Sequence, residues 1–385
     1  MAGNKTVDVV VVGGGVIGSS IAYELSLRGI STLVLEQNSI ASEASSAAAG
    51  MLAAQGEFIE DSNLFQLALR SRSMFPQLVQ RLKEASGMDV GFVDRGLLRM
   101  ALKQQDVQRY KEQAQFQQGL GLDSKWLTKE ETLLLEPSLA VSIEGALLLK
   151  DDHQVIASQL TRAYAMAAAA QGAQIREYAE VHGLFLEHGE VKGVRLRDEV
   201  IHCNKVVIAS SIWATGLLRS IDYDLPITPV KGDCIAVRLK NSRIQRTIYS
   251  DIGYLVPKAN GELIIGATAK HGIVDRSVSL AGISSLIRAA EQLVPSIRES
   301  EWIRAWSGLR PNTPTGLPYM GEHPELQGLF LAAGHYRNGI LLSPVTGRII
   351  ADLIEGNDIE TDLSPYSIPV LHCDPNKKMA GVNTA

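Results

Sequence analysis

The sequence predicts an α/β fold in which one α/β unit is split along the chain and β-rich segments are inserted into it twice. Three observations predict it. The chain opens on a complete strand–helix–strand unit, Val7 to Glu36. Buried-type apolar strands followed by small-residue turns and helices recur near Val206 and Leu329. The stretches between them are rich in strand-like runs with glycine turns. At 385 residues the chain exceeds the size at which one core stops growing, so two domains are expected. The first comprises residues 1–87, 150–222 and 307–367; the second comprises 88–149 and 223–306; residues 368–385 read as a loose tail.

The opening unit is the most explicit element. Val7 to Val12, broken only by Asp8, reads as a buried parallel strand. Gly13-x-Gly15-x-x-Gly18 follows. Gly13 permits a tight turn, Gly15 lets backbone N–H groups approach a pyrophosphate, and Gly18 lets the helix pack close to the strand. An amphipathic helix runs to near Gly29, and its first residues, Val16 and Ile17, lie where the helix dipole favours an anion. A second strand, Thr32 to Leu35, ends on Glu36, whose carboxylate suits a ribose diol. The combination points to a dinucleotide site rather than a plain glycine turn.

Residues 38–56 are rich in Ser, Ala and Gly; they suit the wall of a planar cofactor, a flexible loop or an Ala-rich helix. Helical spacing covers 62–85, and 90–102 has strand character with a glycine turn. A Gln-rich helix spans 104–118, and a short one begins after the Thr128 cap and stops at Pro137. Residues 143–149 read as a strand, and 155–171 as a helix ended by Gly172. Several strands lead to Val206–Ala209, followed by a Ser-Ser turn and a helix from Trp213 to Ser220. Residues 226–239 and 247–269 read as strands, with a hairpin turn at Ala259-Asn260-Gly261. A helix spans about 279–293. The strand Leu329 to Ala333 then leads to a last helix from Gly339 to Glu355.

Composition narrows the class. The chain is 45% hydrophobic and 21% charged with a net charge of −5, which leaves no electrostatic footprint for nucleic acid or an anionic membrane. Apolar stretches are too short to span a bilayer. The first strand starts within ten residues of the N-terminus, so no signal peptide is expected. Cys203, Cys234 and Cys373 are few and far apart, which suggests unpaired thiols in a reducing cytoplasm and no metal site.

Further motifs carry a resemblance. With the opening unit and Glu36, the segments SSAAAGML (45–52), VVIAS (206–210) and AAGHYRNGILLSPVTG (332–347) resemble the FAD-dependent D-amino-acid and amine oxidases. More narrowly, TPVKGDC, GYLVP, GAT, WSGLRP and GHYRNGILL, in that order, resemble glycine oxidases of the thiazole pathway. The resemblance implies a p-hydroxybenzoate-hydroxylase-like fold with a Rossmann-type FAD-binding domain and an inserted substrate domain. It implies non-covalent FAD, O2 as electron acceptor with H2O2 as product, and a homotetramer. The implied activity is oxidation of glycine, sarcosine or small D-amino acids to the imine, with a role in thiamine thiazole synthesis.

An amino-acid substrate brings a permanent carboxylate, for which the planar fork of Arg is the natural partner. The resemblance makes Arg310 that clamp, sets Arg337 nearby, and brings the Tyr254 hydroxyl to the same carboxylate. It places Ala269 and Ala53 along the pocket. For the cofactor it implies Gly13, Gly15, Val16, Ile17, Gly18 and Glu36; then Ser45, Ser46, Ala49, Gly50 and Met51; then Val181, Ser210 and Trp213; and finally Gly334, His335, Tyr336, Arg337, Asn338, Gly339 and Ile340. A deprotonated amine can release its α-hydrogen as hydride, so no strong base is required, and His335 reads as loop support. Asn338 and Gly339 open a helix whose dipole suits the reduced flavin, or simply cap it.

Three positions depart from the glycine oxidase pattern: Ala269 where a bulky Met is expected, Ala53 where a Gly is expected, and Ser211 where a Gly is common. Ile264, and the lack of Cys in 311–325, set the chain apart from monomeric sarcosine oxidases. Two rival readings share the fold: a quinone-linked D-amino-acid dehydrogenase, and a non-catalytic FAD-binding subunit.

Overall fold

The computed structural model describes residues 7–240 and 243–370. Two large sheets organise them. The first runs in the order Tyr319–Glu322, Leu329–Ala333, Val200–Ile208, Val7–Val12, Thr32–Leu35, Gln174–Arg176. Its inner strands are parallel: Val10 lies opposite Val206 on one side and Leu33 on the other. Side chains alternate as the two-residue period requires. Val9 and Val11 pack among the helices Val16–Leu27, Asn63–Ser86, Ala157–Ala170 and Gly339–Glu355. Val7, Val10 and Val12 pack on the opposite face with Leu217, Leu218 and the hairpin Gly183–Arg195.

The second sheet is antiparallel for most of its width. Thr228–Arg238 pairs with Glu301–Asn312 along nearly its full length, and Leu263–Gly266, Gly253–Pro257, Thr247–Ser250, Leu97–Ala101, Gly145–Leu149 and Ser124–Thr128 follow on its other side. The amphipathic helix Leu280–Leu293 seals one face through Leu286, Ala290 and Leu293. Its opposite face, with Gly232, Cys234, Tyr254 and Arg310, turns toward the first sheet.

Several sequence expectations change. The last part of the first domain was expected to open at 307, inside WSGLRP. Instead Arg310 lies opposite Val230 inside one continuous strand, so the second sheet runs on to Asn312. Its residues pass from exposed to half-buried without a clear apolar alternation, which hid the strand. The helix expected from Trp213 breaks into a 3-10 turn at Ser211–Trp213, a short α-helix at Ala214–Leu218 and another turn. Ser211 sits at φ +56, which explains why Gly is common there. The expected loose tail begins ordered: Ile368 is buried in the second core, and the Tyr223 hydroxyl donates to the Pro369 carbonyl. Residues 371–385, with Cys373, lie outside the described residues. Among those described, no helix is long and apolar enough to cross a membrane.

Candidate active site

A cavity of about 460 Å³ lies between the C-terminal ends of the parallel strands and the open face of the second sheet. This is where a parallel sheet offers a ligand crevice. Its glycine end is built around the first helix. Gly13 has φ +112, and a Cβ there would meet the Ala209 carbonyl at 2.7 Å. A Cβ on Gly18 would lie 1.9 Å from the Gly13 carbonyl. Both glycines are therefore required by close approach. The helix N-terminus has no capping side chain and no acid in its first turn. Its Val16 N–H donates to Ser45 Oγ at 2.9 Å, and Gly15, Val16, Ile17 and Ser45 line the cavity. An anion is the natural ligand of such an end.

Glu36 is buried behind this turn. One of its oxygens accepts from Gly14 N–H at 2.7 Å and the other from Asn38 N–H at 2.9 Å. Both keep further lone pairs for a ligand. Ser210 Oγ, beside Gly13, is buried without a partner among the described residues. An acceptor-poor helix end, a positioned carboxylate and an orphaned hydroxyl together fit a dinucleotide cofactor.

The small-residue run is a wall rather than a free loop. It forms a short helix at Ala44–Ala47 and then extends through Gly50 and Met51. The indole N–H of Trp306 fastens it by donating to the Ala47 carbonyl at 3.0 Å, and Gly308 leaves space for the Ala47 methyl. Gly50 has φ +78, and a Cβ there would lie 2.0 Å from the Val155 carbonyl. Gly334–Ile340 forms a further part of the cavity wall. There His335 Nε2 lies 3.1 Å from Thr346 Oγ1. Burial pushes the His335 pKa down to about 3, which holds the ring neutral. Asn338 precedes the last helix without a side-chain cap, and that helix has no acid in its first turn.

The other end holds the polar groups. Arg310 donates to the Thr268 carbonyl at 3.3 Å and stacks its guanidinium over Gly232, where a Cβ would meet Nη1 at 2.3 Å. Among the described residues no carboxylate pairs with it, and it lines the cavity. Tyr254 stands beside it, its hydroxyl 3.7 Å from Cys234 Sγ. Burial pushes the phenol well above its ordinary value, which keeps it a donor. Arg337 is differently placed: it donates to Glu57 Oε1 at 2.8 Å and to the Tyr249 hydroxyl at 2.9 Å. Burial opposes its charge, but Glu57 and Tyr249 outweigh that and hold it protonated. Ala53 is buried in the wall, and Ala269 lies on its exposed rim.

The structure gathers Tyr254, Arg310, Arg337, Ala53 and Ala269, with Ala49, Gly50, Met51, Gly334, Tyr336, Gly339 and Ile340, around one cavity. It leaves Gly13, Gly18, Glu36 and Ser210 behind the lining and Ser46, Val181 and Trp213 off that wall. Ser46 is exposed and donates to the Glu43 carbonyl, Val181 packs on the second core, and Trp213 is 43% exposed. Glu57 and Tyr249 were missed. Tyr249 was within reach, because the hairpin register sets it opposite Tyr254. Glu57 meets Arg337 across 280 residues of sequence, and nothing local signals that.

Comparison with known proteins agrees with this geometry. A family model described as FAD dependent oxidoreductase matches residues 8–353. A glycine oxidase of Geobacillus kaustophilus (strain HTA426) is 44% identical over 364 residues, 94% of this chain and 96% of that one. The bifunctional protein ThiO/ThiG of Trichormus variabilis (strain ATCC 29413 / PCC 7937) is 35% identical over 91% of this chain and 53% of its own length. The crystal structure of glycine oxidase from Geobacillus kaustophilus superposes with a TM-score of 0.91, covering 94% of this chain and 98% of that one.

Proposed function

Because the chain belongs to the FAD-dependent oxidoreductases, we propose that it oxidises glycine and other small amines, with O2 as the electron acceptor and H2O2 as a product. Sarcosine and small D-amino acids extend the substrate range, and a role in thiazole synthesis is supported by the likeness to the ThiO/ThiG proteins. FAD, when bound, supplies a hydride acceptor and hands the electrons to oxygen.

The observation that carries this reading is the Arg310 guanidinium, which has no carboxylate partner among the described residues and stands beside the protonated Tyr254 hydroxyl in the cofactor cavity. A bidentate Arg contact and one phenol donor hold an α-carboxylate in a fixed orientation. That fixes where the α-carbon stands, and positioning of this kind supplies much of a barrier's reduction. Arg337, already neutralised by Glu57, contributes a closed ion pair rather than a second anion clamp. The neutral His335, bonded to Thr346, keeps the loop in place. Gly232 leaves the space in which the Arg310 fork lies flat.

Anaerobic titration of the yellow protein with glycine, followed by admission of air, tests the reading. Bleaching, re-oxidation and peroxide formation support it. Bleaching without re-oxidation in air indicates a quinone-linked dehydrogenase. Failure to bleach with any small amine would leave a non-catalytic FAD-binding subunit.

A further inference from the structure

One buried cation takes no part in that chemistry. Lys258, at the end of strand Gly253–Pro257, is 7% exposed. Its ammonium donates to Gln154 Oε1 and to the Val155 carbonyl, both at 2.8 Å. Among the described residues no carboxylate pairs with it. Two neutral carbonyls satisfy hydrogen bonds but leave the charge uncompensated, an expensive arrangement inside a protein.

Its acceptors identify what it braces. Gln154 lies opposite Met51 in a two-stranded ribbon, and Val155 N–H donates to the Gly50 carbonyl at 2.8 Å. Gly50 and Met51 line the cavity. A Cβ on Gly50 would point away from the cavity, 2.0 Å from the Val155 carbonyl and 3.3 Å from Lys258 Nζ. The ammonium therefore stands one backbone thickness behind the cofactor wall, where a charge is little screened. It also joins the second sheet to the wall carried by the first domain.

We propose that Lys258 is a positioning residue for FAD: it braces Gly50–Met51 through Val155, and its positive charge behind that wall favours the reduced cofactor over the oxidised one. The inference rests on FAD occupying this cavity. A reduced flavin gains electron density that an uncompensated cation stabilises, whereas the oxidised ring is neutral. Burial lowers the Lys258 pKa to about 7, so the ammonium is the majority form only below neutral pH, and the potentials below are compared at pH 6.

The test compares the two-electron midpoint potential of bound FAD, and the affinity of the apoprotein for oxidised FAD, in wild type, Lys258→Gln and Lys258→Arg. Gln keeps a donor for the carbonyls and removes the charge; Arg keeps the charge. Lys258→Gln is expected to bind oxidised FAD within about 3-fold of wild type and reduced FAD about 10-fold more weakly, a midpoint about 30 mV more negative. Lys258→Arg is expected to stay at the wild-type midpoint. Should the Gln variant not fold, Lys258→Met, an apolar chain of similar length, is expected to show the same shift. A wild-type midpoint in the charge-free variant, or equal shifts in the Gln and Arg variants, would overturn the proposal. Wild-type apoprotein that fails to take up FAD would instead overturn the cofactor reading itself.

Discussion

At the scale of single residues, the two motif arginines look alike in sequence and differ in the fold. Each lies in a glycine-flanked stretch, but Glu57 neutralises Arg337 while Arg310, among the described residues, has no carboxylate partner. The sequence could suggest both and could not separate them, because the separating carboxylate comes from a remote helix. Arg310→Ala is therefore expected to raise the KM for glycine by about 30- to 1000-fold, the loss of a charge-assisted contact of roughly 2–4 kcal/mol. Arg310→Lys should recover part of this, because an ammonium carries charge without the fork. An unchanged KM in Arg310→Ala would move the clamp elsewhere. His335 gives a pH signature. Its folded pKa of about 3 lies below the ordinary 6.5, so between these values the unfolded chain binds the extra proton. Stability is then lost as pH falls below 6.5, by about 2 kcal/mol at pH 5 from this group alone. Thermal melts of wild type and His335→Gln across pH 5–7 should show the shallower slope in the variant; parallel slopes would contradict the assignment.

At the scale of elements, legibility followed local pattern. Val7–Val12, Thr32–Leu35 and Gly339–Glu355 appear where valine runs, glycines and helical period placed them, since each signal sits within the element itself. Residues 38–56 were ambiguous, because small residues permit wall, loop and helix alike; only the Trp306 bond to Ala47 decides the matter. The strand Glu301–Asn312 was not read from the sequence for the same kind of reason: its partner, Thr228–Arg238, defines it. Two glycine-type positions test these elements in opposite directions. Gly18→Ala drives a methyl into the Gly13 carbonyl and should destabilise by at least about 1–3 kcal/mol, with weaker FAD retention. Ser211→Gly relieves φ +56 in the 3-10 turn and should stabilise by about 0.5–1 kcal/mol. Denaturant midpoints of both variants, read against wild type, check the pair, and a destabilised Ser211→Gly would show that the serine makes a compensating contact.

At the scale of the whole molecule, the cavity exists only because two sheets built from alternating stretches of sequence face each other. The nucleotide half supplies Gly15, Ser45 and Gly50; the other half supplies Tyr254, Thr268 and Arg310. The arrangement decides substrate range through what closes the gap between the halves. Ala269 follows directly on Thr268, lies on the exposed rim, and fills little of that gap. Glycine is held through its carboxylate and amine and has no side chain to lose contact. One added methyl changes binding in an apolar site by only about 1–3 kcal/mol, so an open rim is expected to make the enzyme permissive. Glycine and sarcosine should turn over comparably, with D-alanine and D-proline weaker and L-amino acids inert. Ala269→Met would fill the rim with a flexible apolar chain. It is expected to lower kcat/KM for sarcosine and D-proline several-fold more than for glycine, while leaving the glycine KM set by Arg310. Equal losses for all substrates would show that residue 269 acts on the fold of the rim and does not meet the substrate.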